Sequence, residues 1–461
     1  MHGRLWGVFV VALVLRLGWV ATLGPDLVWP DEEEFVGIAK HLAAGDGYVS
    51  VSYRANPILP AYLAAVFAVF GESYPAARVG QAIMGALTCL LVAATGMRLL
   101  GVTVGTIAGL MLALYLPHVY LSGVFYAECL FTLLIACTVH AAVRSLDATR
   151  PMPWVVATGL SFALATLSRP IFLAYLPFLL AALVHASRAA FSRKVVMAAT
   201  LVVATALGIL PWTIRNWVVL GRPVLVSTGF GTKLWQGNNE GAVGDADDRE
   251  LSFRQDVWRA RVAALPEPER ATVEARYRDA ERRIDALQAA SGDAYTATDA
   301  VLGPLAWEHI RTHPLRTLEL FARKLGTLFL PFSKTLVSNE HTTSVNQWLA
   351  TLAYVPIVLL AVTGIWFTAG RHPGLWMLYG LLVSVSAAYG VLTACTRFRL
   401  PLDPYLVVFA AAALVELWAR RLREVGDQGP PLSAYAPHRA AVGHDQPVLD
   451  HARAGRFEVD R

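Results

Sequence analysis

The sequence predicts an all-α protein, a multi-pass transmembrane helical bundle of about ten spans. Of its 461 residues, 56% are hydrophobic and only 16% are charged, whereas soluble proteins use roughly half apolar and a quarter charged residues. Apolar runs of roughly 20 residues, the length that crosses a bilayer, recur along the chain. The net charge of +5 comes from arginines in short loops between these runs, so it indicates membrane topology and not a nucleic-acid partner.

Ten segments are predicted to cross the membrane. In chain order they are residues 5–23, 77–99, 102–116, 124–143, 154–167, 171–184, 195–210, 349–367, 375–392 and 405–418. Two further apolar stretches, 58–70 and 318–332, are short and bounded by proline. Such stretches favour helices that lie along the outer membrane interface.

The basic residues predict the orientation of these spans, because lysine and arginine favour cytoplasmic loops. One side receives the basic groups at Arg4, Arg98, 144–150, 188–194 and 420–423. This side is predicted to be the cytoplasm, and both termini lie there. The other side receives the acidic loop 26–53, the turn 168–170, the long segment 211–346 and the loop 396–404.

Composition divides the chain into four regions. They are an N-terminal transmembrane region with the acidic loop (1–210), an extracytoplasmic segment with amphipathic and interfacial helices (211–346), a C-terminal transmembrane region (347–424) and a cytoplasmic tail (425–461). The tail has little apolar content and is predicted to be disordered. In the second region, apolar residues recur at four- and three-residue steps at Val273, Tyr277, Ala280, Ile284 and Leu287. This spacing predicts an amphipathic helix with one packed face, in a small extracytoplasmic cap.

Four consecutive acids, Asp31 to Glu34, follow the first span. An acidic run usually faces solvent, and acids at a helix start are stabilised by the helix dipole. The functional alternative is that one carboxylate, in a partly desolvated pocket at the membrane edge, accepts the proton of an attacking hydroxyl. The residue types alone do not distinguish among the four acids.

Arg397 and Arg399 lie on alternate positions at the predicted outer mouth of the last span. Guanidinium groups bind phosphate oxygens in a bidentate manner and keep their charge, which suits a lipid-linked phosphate. Anchoring at the membrane interface is an equal alternative. Basic residues on this side do, however, run against the positive-inside preference.

Arg169 and Glu128 interrupt apolar sequence near the predicted outer surface. Ionisable groups at membrane depth are costly, which favours a polar cavity shared by the two. Lys324, within the amphipathic stretch 318–332, is a weaker candidate for a phosphate contact. No histidine or cysteine has the spacing of a metal site, so no metal ligand is predicted.

Together these residues resemble the C-type (GT-C) glycosyltransferase superfamily, specifically the bacterial relatives of protein O-mannosyltransferases and of the aminoarabinose transferase that modifies lipid A. The resemblance spans nearly all of the membrane part. The motifs that carry it are Asp31-Glu32-x-x-Phe35 with Ile38-Ala39, Gly45-x-Gly47-Tyr48, Asn56-Pro57-x-x-Pro60, Glu128-x-Leu130-Phe131, Pro211-Trp212-x-x-Arg215-Asn216, Gly237-Asn238-Asn239 and Arg397-x-Arg399-x-Pro401.

The resemblance implies an inverting glycosyltransferase in the inner (plasma) membrane. Its donor is a sugar on a polyprenyl phosphate, and its acceptor is a hydroxyl of a cell-envelope glycan, lipid or protein at the outer face. The implied catalytic residues are Asp31, as base, and Glu32, as the neighbouring acid. The donor phosphate is assigned to Arg397, Arg399, Arg54 and Arg169, and the candidate cavity residues are Glu128, Lys324, Asn238 and Asn239. No cofactor is required with certainty, and a divalent metal stays open.

Two other classes of protein remain as alternatives. In a polytopic transporter or flippase for a lipid-linked sugar, the charged residues line a permeation path, but transporters concentrate such residues near the membrane midplane. A non-catalytic scaffold of an envelope-synthesis complex predicts that loss of both Asp31 and Glu32 is silent. The gathering of ionisable residues at one predicted face favours the enzyme.

Overall fold

The computed structural model describes residues 2–27, 29–48, 56–221, 223–331 and 344–427. Within these ranges the chain forms α-helices joined by short 3-10 helices, and they contain no β-strand. The all-α, multi-pass prediction is confirmed. The described residues up to 416 form one compact unit, and residues 417–427 are the described part of a second.

In the described part of the N-terminal region there are ten α-helices. They are α1 (His2–Ala21), α2 (Pro30–Ala44), α3 (Ile58–Phe70), α4 (Tyr74–Leu100), α5 (Val102–Leu114), α6 (Leu116–Tyr120), α7 (Ala127–Asp147), α8 (Met152–Ser168), α9 (Leu176–Ala186) and α10 (Phe191–Leu220). The long helix α4 packs against α1, α5 and α7. It approaches α5 closely because Gly105 faces Met97, where any Cβ would strike the backbone of α4. Small residues commonly allow such close packing in membranes.

Five helices form the central region. They are α11 (Phe230–Gly237), α12 (Asp256–Ala263), α13 (Glu269–Ser291), α14 (Ala294–Thr312) and α15 (Pro314–Phe329). The core of this cap includes Trp235, Phe253, Trp258 and Tyr277.

The packed face predicted for the amphipathic helix is present along most of α13. Its buried residues are Val273, Tyr277, Ala280 and Ile284. Leu287 was also expected on this face, but it is 43% exposed. The prediction is wrong for that residue because α13 continues beyond the cap core, and residues 285–290 all face outward.

Three more helices follow in the described residues 344–427: α16 (Ser344–Thr368), α17 (Leu375–Val391) and α18 (Asp403–Asp427). Between α17 and α18 a short 3-10 helix, Thr396–Arg399, carries two of the four arginines predicted to bind phosphate, Arg397 and Arg399. The central helix α15 packs against α17 and against this 3-10 helix.

Helices occupy all ten predicted spans, but they differ in length. In the described ranges, five helices are long and apolar enough to cross a membrane: His2–Ala21, Tyr74–Leu100, Ala127–Asp147, Phe191–Leu220 and Trp348–Thr368. A pair bent by 60°, Val102–Leu114 with Leu116–Gly123, makes a sixth if it is one span. The other predicted spans, 154–167, 171–184, 375–392 and 405–418, fall on shorter apolar helices or on α18. A count of ten spans stays a prediction.

Helix α10 differs from its prediction because it runs to Leu220, ten residues past the predicted end of the span at 210. Pro211 lies inside the helix, where a proline removes one backbone hydrogen bond without always ending the helix. The last turns are held from outside, because Asn216 Nδ2 donates to the carbonyls of Val224 and Val226 at 3.0 Å each. The predicted boundary between the first two regions therefore lies within one continuous helix. Residues 428–461, most of the predicted tail, lie outside the described ranges.

Candidate active site

The four acids at the start of α2 differ in their exposure to solvent. The helix begins at Pro30, so Asp31, Glu32 and Glu33 form its first turn, where carboxylates are favoured by the helix dipole. Successive helical residues point in different directions. As a result, Asp31, Glu33 and Glu34 are exposed and Glu32 is fully buried.

Glu32 is held by backbone donors. Its Oε2 accepts a hydrogen bond from the backbone N–H of Trp29 at 2.8 Å, and its Oε1 accepts one from the backbone N–H of Phe125, also at 2.8 Å. The side chain therefore joins the start of α2 to the segment that leads into α7. This geometry suits a residue that positions the acidic loop.

Asp31 is 55% exposed and contacts a residue that is distant in sequence, Arg397. Its Oδ2 accepts a hydrogen bond from Arg397 Nη1 at 3.1 Å. The guanidinium of Arg397 also lies over the ring of Tyr126, 4.3 Å from its centroid. Two predicted site residues separated by 366 positions are thus in direct contact.

Glu128 links Arg397 to Arg169. It is 1% exposed, and its Oε1 lies 3.2 Å from Arg397 Nε and 2.6 Å from Arg169 Nη2. Its second oxygen, Oε2, is buried and has no hydrogen-bond partner among the described residues. We call Asp31, Arg397, Glu128 and Arg169 the charged cluster. Two acids and two arginines give it no net formal charge.

Arg397 is firmly cationic within this cluster. Burial alone lowers the pKa of its guanidinium, but the negative charges of Glu128 and Asp31 outweigh that effect and raise the pKa overall. Arg397 can therefore offer a permanent positive charge to an anionic ligand.

Arg399 lies outside the charged cluster although it is only two residues from Arg397. Its Nε is 3.1 Å from Asp403 Oδ1, and its Nη1 donates to the carbonyl of Leu330 at 2.6 Å. The guanidinium also covers the ring of Tyr354 at 3.4 Å from the centroid. These contacts fasten the 3-10 helix to its neighbours, and they leave Arg399 buried.

Lys324, Asn238 and Asn239 also lie outside the charged cluster. Lys324 Nζ contacts Asn238 Oδ1 at 3.3 Å, and burial lowers the pKa of this amine to about 8. Asn239 Nδ2 donates to the carbonyl of Trp235, and its Oδ1 accepts from Trp258 Nε1. Lys324 and Asn238 are buried where the cap meets the end of α17, and Asn239 is buried within the cap.

One candidate phosphate ligand, Arg54, lies outside the described residues. In the described part of the chain, no three His, Cys, Asp or Glu side chains are close enough together to hold a metal ion.

Two aromatic contributors to this region were not anticipated from the sequence. The first is Tyr126, whose ring lies beneath Arg397. The second is Trp29, whose Nε1 donates to the hydroxyl of Tyr120 at 2.8 Å. The only sequence signal for them was their position, Tyr126 two residues before Glu128 and Trp29 two residues before Asp31.

Residues 55–214 match the family model described as dolichyl-phosphate-mannose-protein mannosyltransferase. The matched range includes Glu128 and Arg169 but neither Asp31 nor Arg397. No curated protein matches the chain at a significant level.

Several solved structures match the chain. The oligosaccharyltransferase AglB from Archaeoglobus fulgidus, in complex with an inhibitory peptide and a dolichol-phosphate, matches with a TM-score of 0.52 and 15% identity over 95% of this chain and 52% of AglB. The apo form of the Archaeoglobus fulgidus oligosaccharyltransferase matches with a TM-score of 0.54 and 15% identity, over 92% of this chain and 52% of that enzyme. ArnT from Cupriavidus metallidurans, bound to undecaprenyl phosphate, matches with a TM-score of 0.43 and 15% identity over 93% of this chain and 81% of ArnT. That TM-score is too low to support a conclusion.

The present chain spans about half the length of the oligosaccharyltransferase that it matches. At 15% identity, this likeness establishes a shared fold and does not establish a shared reaction. The fold, the apolar helices and the family match over residues 55–214 agree with one another. The chain is an integral membrane protein that shares the fold of the oligosaccharyltransferase, and its residues 55–214 match the mannosyltransferase family model.

Proposed function

We propose that the protein is an inverting glycosyltransferase of the inner (plasma) membrane, with its charged cluster on the outer face. It transfers a sugar from a polyprenyl phosphate to a hydroxyl of a cell-envelope glycan, lipid or protein. The observation that carries this proposal is the contact between the half-exposed Asp31 and Arg397 within the charged cluster. It puts a carboxylate that can accept a proton beside a cation that can bind a phosphate.

Asp31 acts as the general base in this proposal. Its carboxylate takes the proton of the acceptor hydroxyl while the hydroxyl oxygen forms a bond to the anomeric carbon of the sugar. The bond from that carbon to the phosphate oxygen breaks, and polyprenyl phosphate leaves with the electron pair. Asp31 suits this role better than Glu32, because Asp31 is 55% exposed whereas both oxygens of Glu32 accept backbone hydrogen bonds.

Arg397 binds the leaving phosphate. Negative charge accumulates on the phosphate oxygens as the glycosidic bond breaks, and a fixed cation stabilises that charge without reorganising. Glu128 orients both Arg397 and Arg169 through one oxygen, so the two guanidinium groups converge. Arg169 is a second phosphate contact in this arrangement, whereas Arg399 serves the site by fastening the segment that carries Arg397.

Relatives support the class of donor. The matching family is named for dolichyl-phosphate-mannose, and one of the AglB structures contains a dolichol-phosphate. Both are phosphates of polyprenyl lipids. A lipid-linked phosphate sugar is therefore the donor class that we propose for this chain.

Reconstitution tests the proposal. Purified protein in liposomes is given a polyprenyl-phosphate sugar labelled in the sugar, together with envelope extract as acceptor. We expect label to appear in the acceptor fraction through a glycosidic bond of inverted configuration. Labelled donor that crosses the bilayer without any glycosidic product would contradict the proposal and favour a transporter. Mass spectrometry of the lipid-linked sugar that accumulates in cells lacking the protein would identify the natural donor.

A further inference from the structure

Lys324, on α15, has contacts that suggest a role other than ligand binding. Its side chain is 1% exposed. The Nζ atom lies 3.1 Å from the carbonyl oxygen of Gly237 and 3.3 Å from Asn238 Oδ1, both at the end of α11 in the cap. It also lies 3.0 Å from the carbonyl oxygen of Val391 and 3.1 Å from that of Leu392, at the end of α17. An ammonium group has three N–H donors, so four acceptors engage it fully.

The end of α17 needs such a partner. The last carbonyl groups of a helix have no donor within the helix, and a positive charge is favourable at a helix C-terminus. Lys324 supplies both the donor and the charge to the carbonyls of Val391 and Leu392. Asn238 Nδ2 adds a second donor to Val391, at 2.8 Å.

The cap and α17 are packed tightly around this amine. Gly237 has no side chain, and a Cβ there would collide with the carbonyl of Leu392. One turn before Lys324, the ring of Phe321 packs on Gly390, where a Cβ would come within 2.6 Å of it. Helix α15 thus holds the last turn of α17 through both a charged and an aromatic side chain.

The same helix also reaches the far end of the segment that follows α17. Leu330, immediately after α15, accepts a hydrogen bond from Arg399 Nη1 at 2.6 Å. We call residues 393–399 the arginine segment. This segment is attached to α15 at Leu392, just before it begins, through Lys324, and to the end of α15 at its last residue, Arg399, through Leu330. Arg397 lies between these two attachments and projects to Asp31 and Glu128.

We propose that Lys324 is a positioning residue that sets the location of Arg397 by fixing the start of the arginine segment. This inference rests on the proposed function for the identity of the ligand that Arg397 binds. It gives Lys324 no contact with that ligand, since all of its donors are engaged by protein acceptors. The effect of Lys324 on ligand binding then passes entirely through Arg397.

Two measurements test this role with four single variants and one double variant. Lys324→Met removes the amine, and Lys324→Gln is a milder change that keeps a donor without the charge. Thr327→Val is the matched control, because Thr327 lies on the same helix and donates its hydrogen bond to the cap carbonyl of Gly244 and not to the end of α17. Arg397→Ala supplies the background for the double variant.

The first measurement is amide hydrogen exchange of the arginine segment in nanodiscs without ligand. Leaving buried carbonyls unsatisfied favours local opening. We expect about 10-fold faster exchange in Lys324→Met, an intermediate rate in Lys324→Gln and no change in Thr327→Val. Unchanged exchange in the Lys324 variants overturns the proposal. If Lys324→Met is not recovered as folded protein, Lys324→Gln decides the outcome.

The second measurement is the affinity for polyprenyl phosphate. We expect Lys324→Met to weaken binding by about 10-fold or more, since misplaced binding groups are costly. It should cause no further loss in Arg397→Ala, because residues that act through one another are not additive. Losses that add in the double variant would mean that Lys324 contacts the phosphate itself, which overturns the positioning role. Failure of the wild-type protein to bind polyprenyl phosphate contradicts the proposed function instead, and the exchange result still decides the role of Lys324.

Discussion

Two buried carboxylates of this protein lie beside arginines in contrasting surroundings. In the cap, Glu240 is 5% exposed, and its Oε1 is paired with Arg276 and lies 3.5 Å from His309 Nδ1. Its Oε2 accepts a hydrogen bond from the hydroxyl of Tyr277 at 3.0 Å. Both oxygens of Glu240 are therefore engaged by side chains of the cap itself.

The carboxylates of the charged cluster differ from Glu240 because not all of their oxygens are engaged by protein groups in the described part of the chain. Glu128 Oε1 takes two arginines, whereas its buried Oε2 has no hydrogen-bond partner among the described residues. Asp31 completes the cluster with a carboxylate that is 55% exposed. This contrast shows that burial beside an arginine does not by itself mark an active site. A buried carboxylate with both oxygens engaged by protein groups stabilises the fold, whereas a cluster that includes an exposed carboxylate can exchange a contact within the protein for a contact with a ligand.

The largest expected effect on transfer comes from Asp31→Asn. The amide keeps the shape of the side chain but cannot accept the proton of the acceptor, and general base catalysis contributes roughly 10²- to 10⁴-fold. We expect the initial rate of sugar transfer in proteoliposomes to fall by about 10³-fold. The amount of folded protein in the membrane should stay at the wild-type level. A rate near that of the wild type would remove Asp31 from the mechanism.

Arg397→Ala should have the next largest effect. It removes the cation that faces the leaving phosphate and leaves Glu128 with Arg169 alone. Removing one such stabilising group costs about 10²- to 10³-fold in rate, so we expect a loss of about 10²-fold in proteoliposome transfer. Arg259→Ala, at an exposed position of α12, is the control and should transfer at the wild-type rate. Equal rates for the two variants would place the phosphate elsewhere.

Glu240→Gln tests whether the cap carboxylate stabilises the fold without taking part in transfer. Burial raises the pKa of this carboxyl, but His309 and Arg276 outweigh burial and hold the pKa at about 2, below its ordinary value of 4.5. A lowered pKa in the folded state stabilises the fold above pH 4.5, by about 3 kcal/mol, and this stabilisation is lost as pH falls toward 2. We therefore expect the variant to be less stable than the wild type at pH 7.

The pH dependence distinguishes this cause from a packing defect. The difference in free energy of unfolding between wild type and Glu240→Gln should shrink between pH 5 and pH 2, as followed by cap tryptophan fluorescence. The transfer rate per folded molecule should be unchanged. A difference that is constant with pH, or a large loss of transfer, would show that Glu240 has been misassigned.

Glu33→Gln should have the smallest effect. Glu33 shares the first turn of α2 with Asp31 but is exposed on a different side of the helix. We expect a change in transfer of less than about twofold, since surface substitutions away from special features have little effect. A loss comparable to that of Asp31→Asn would mean that the acidic run acts as a diffuse charge and not through one base.

The fold was largely predictable from the sequence, because apolar runs of bilayer length dictate helices in lipid. The departures have local causes. Helix α10 continues through Pro211 because Asn216 and its carbonyl partners hold the following turns. Leu287 is exposed because α13 extends beyond the cap core. The apolar periodicity of a helix does not show how far along the helix the neighbouring core extends.

The candidate site was predictable as a set of residues and not as an arrangement. Charge and position selected Glu128, Arg169, Arg397 and the acidic run 31–34, and the family resemblance selected Asp31 within that run. Asp31, Glu128, Arg169 and Arg397 meet in the structure. The different surroundings of Arg397 and Arg399 could not be foreseen, because they depend on a 3-10 helix, in which residues two apart point in different directions. The burial of Glu32 likewise depends on the residue at which α2 begins.

The most direct test of the central claim is the structure of the protein in nanodiscs with polyprenyl phosphate bound. We expect the phosphate within hydrogen-bonding distance of Arg397, with the Asp31 carboxylate facing the same space. A phosphate bound at Lys324 or elsewhere in the cap, with the contact between Asp31 and Arg397 intact, would contradict it.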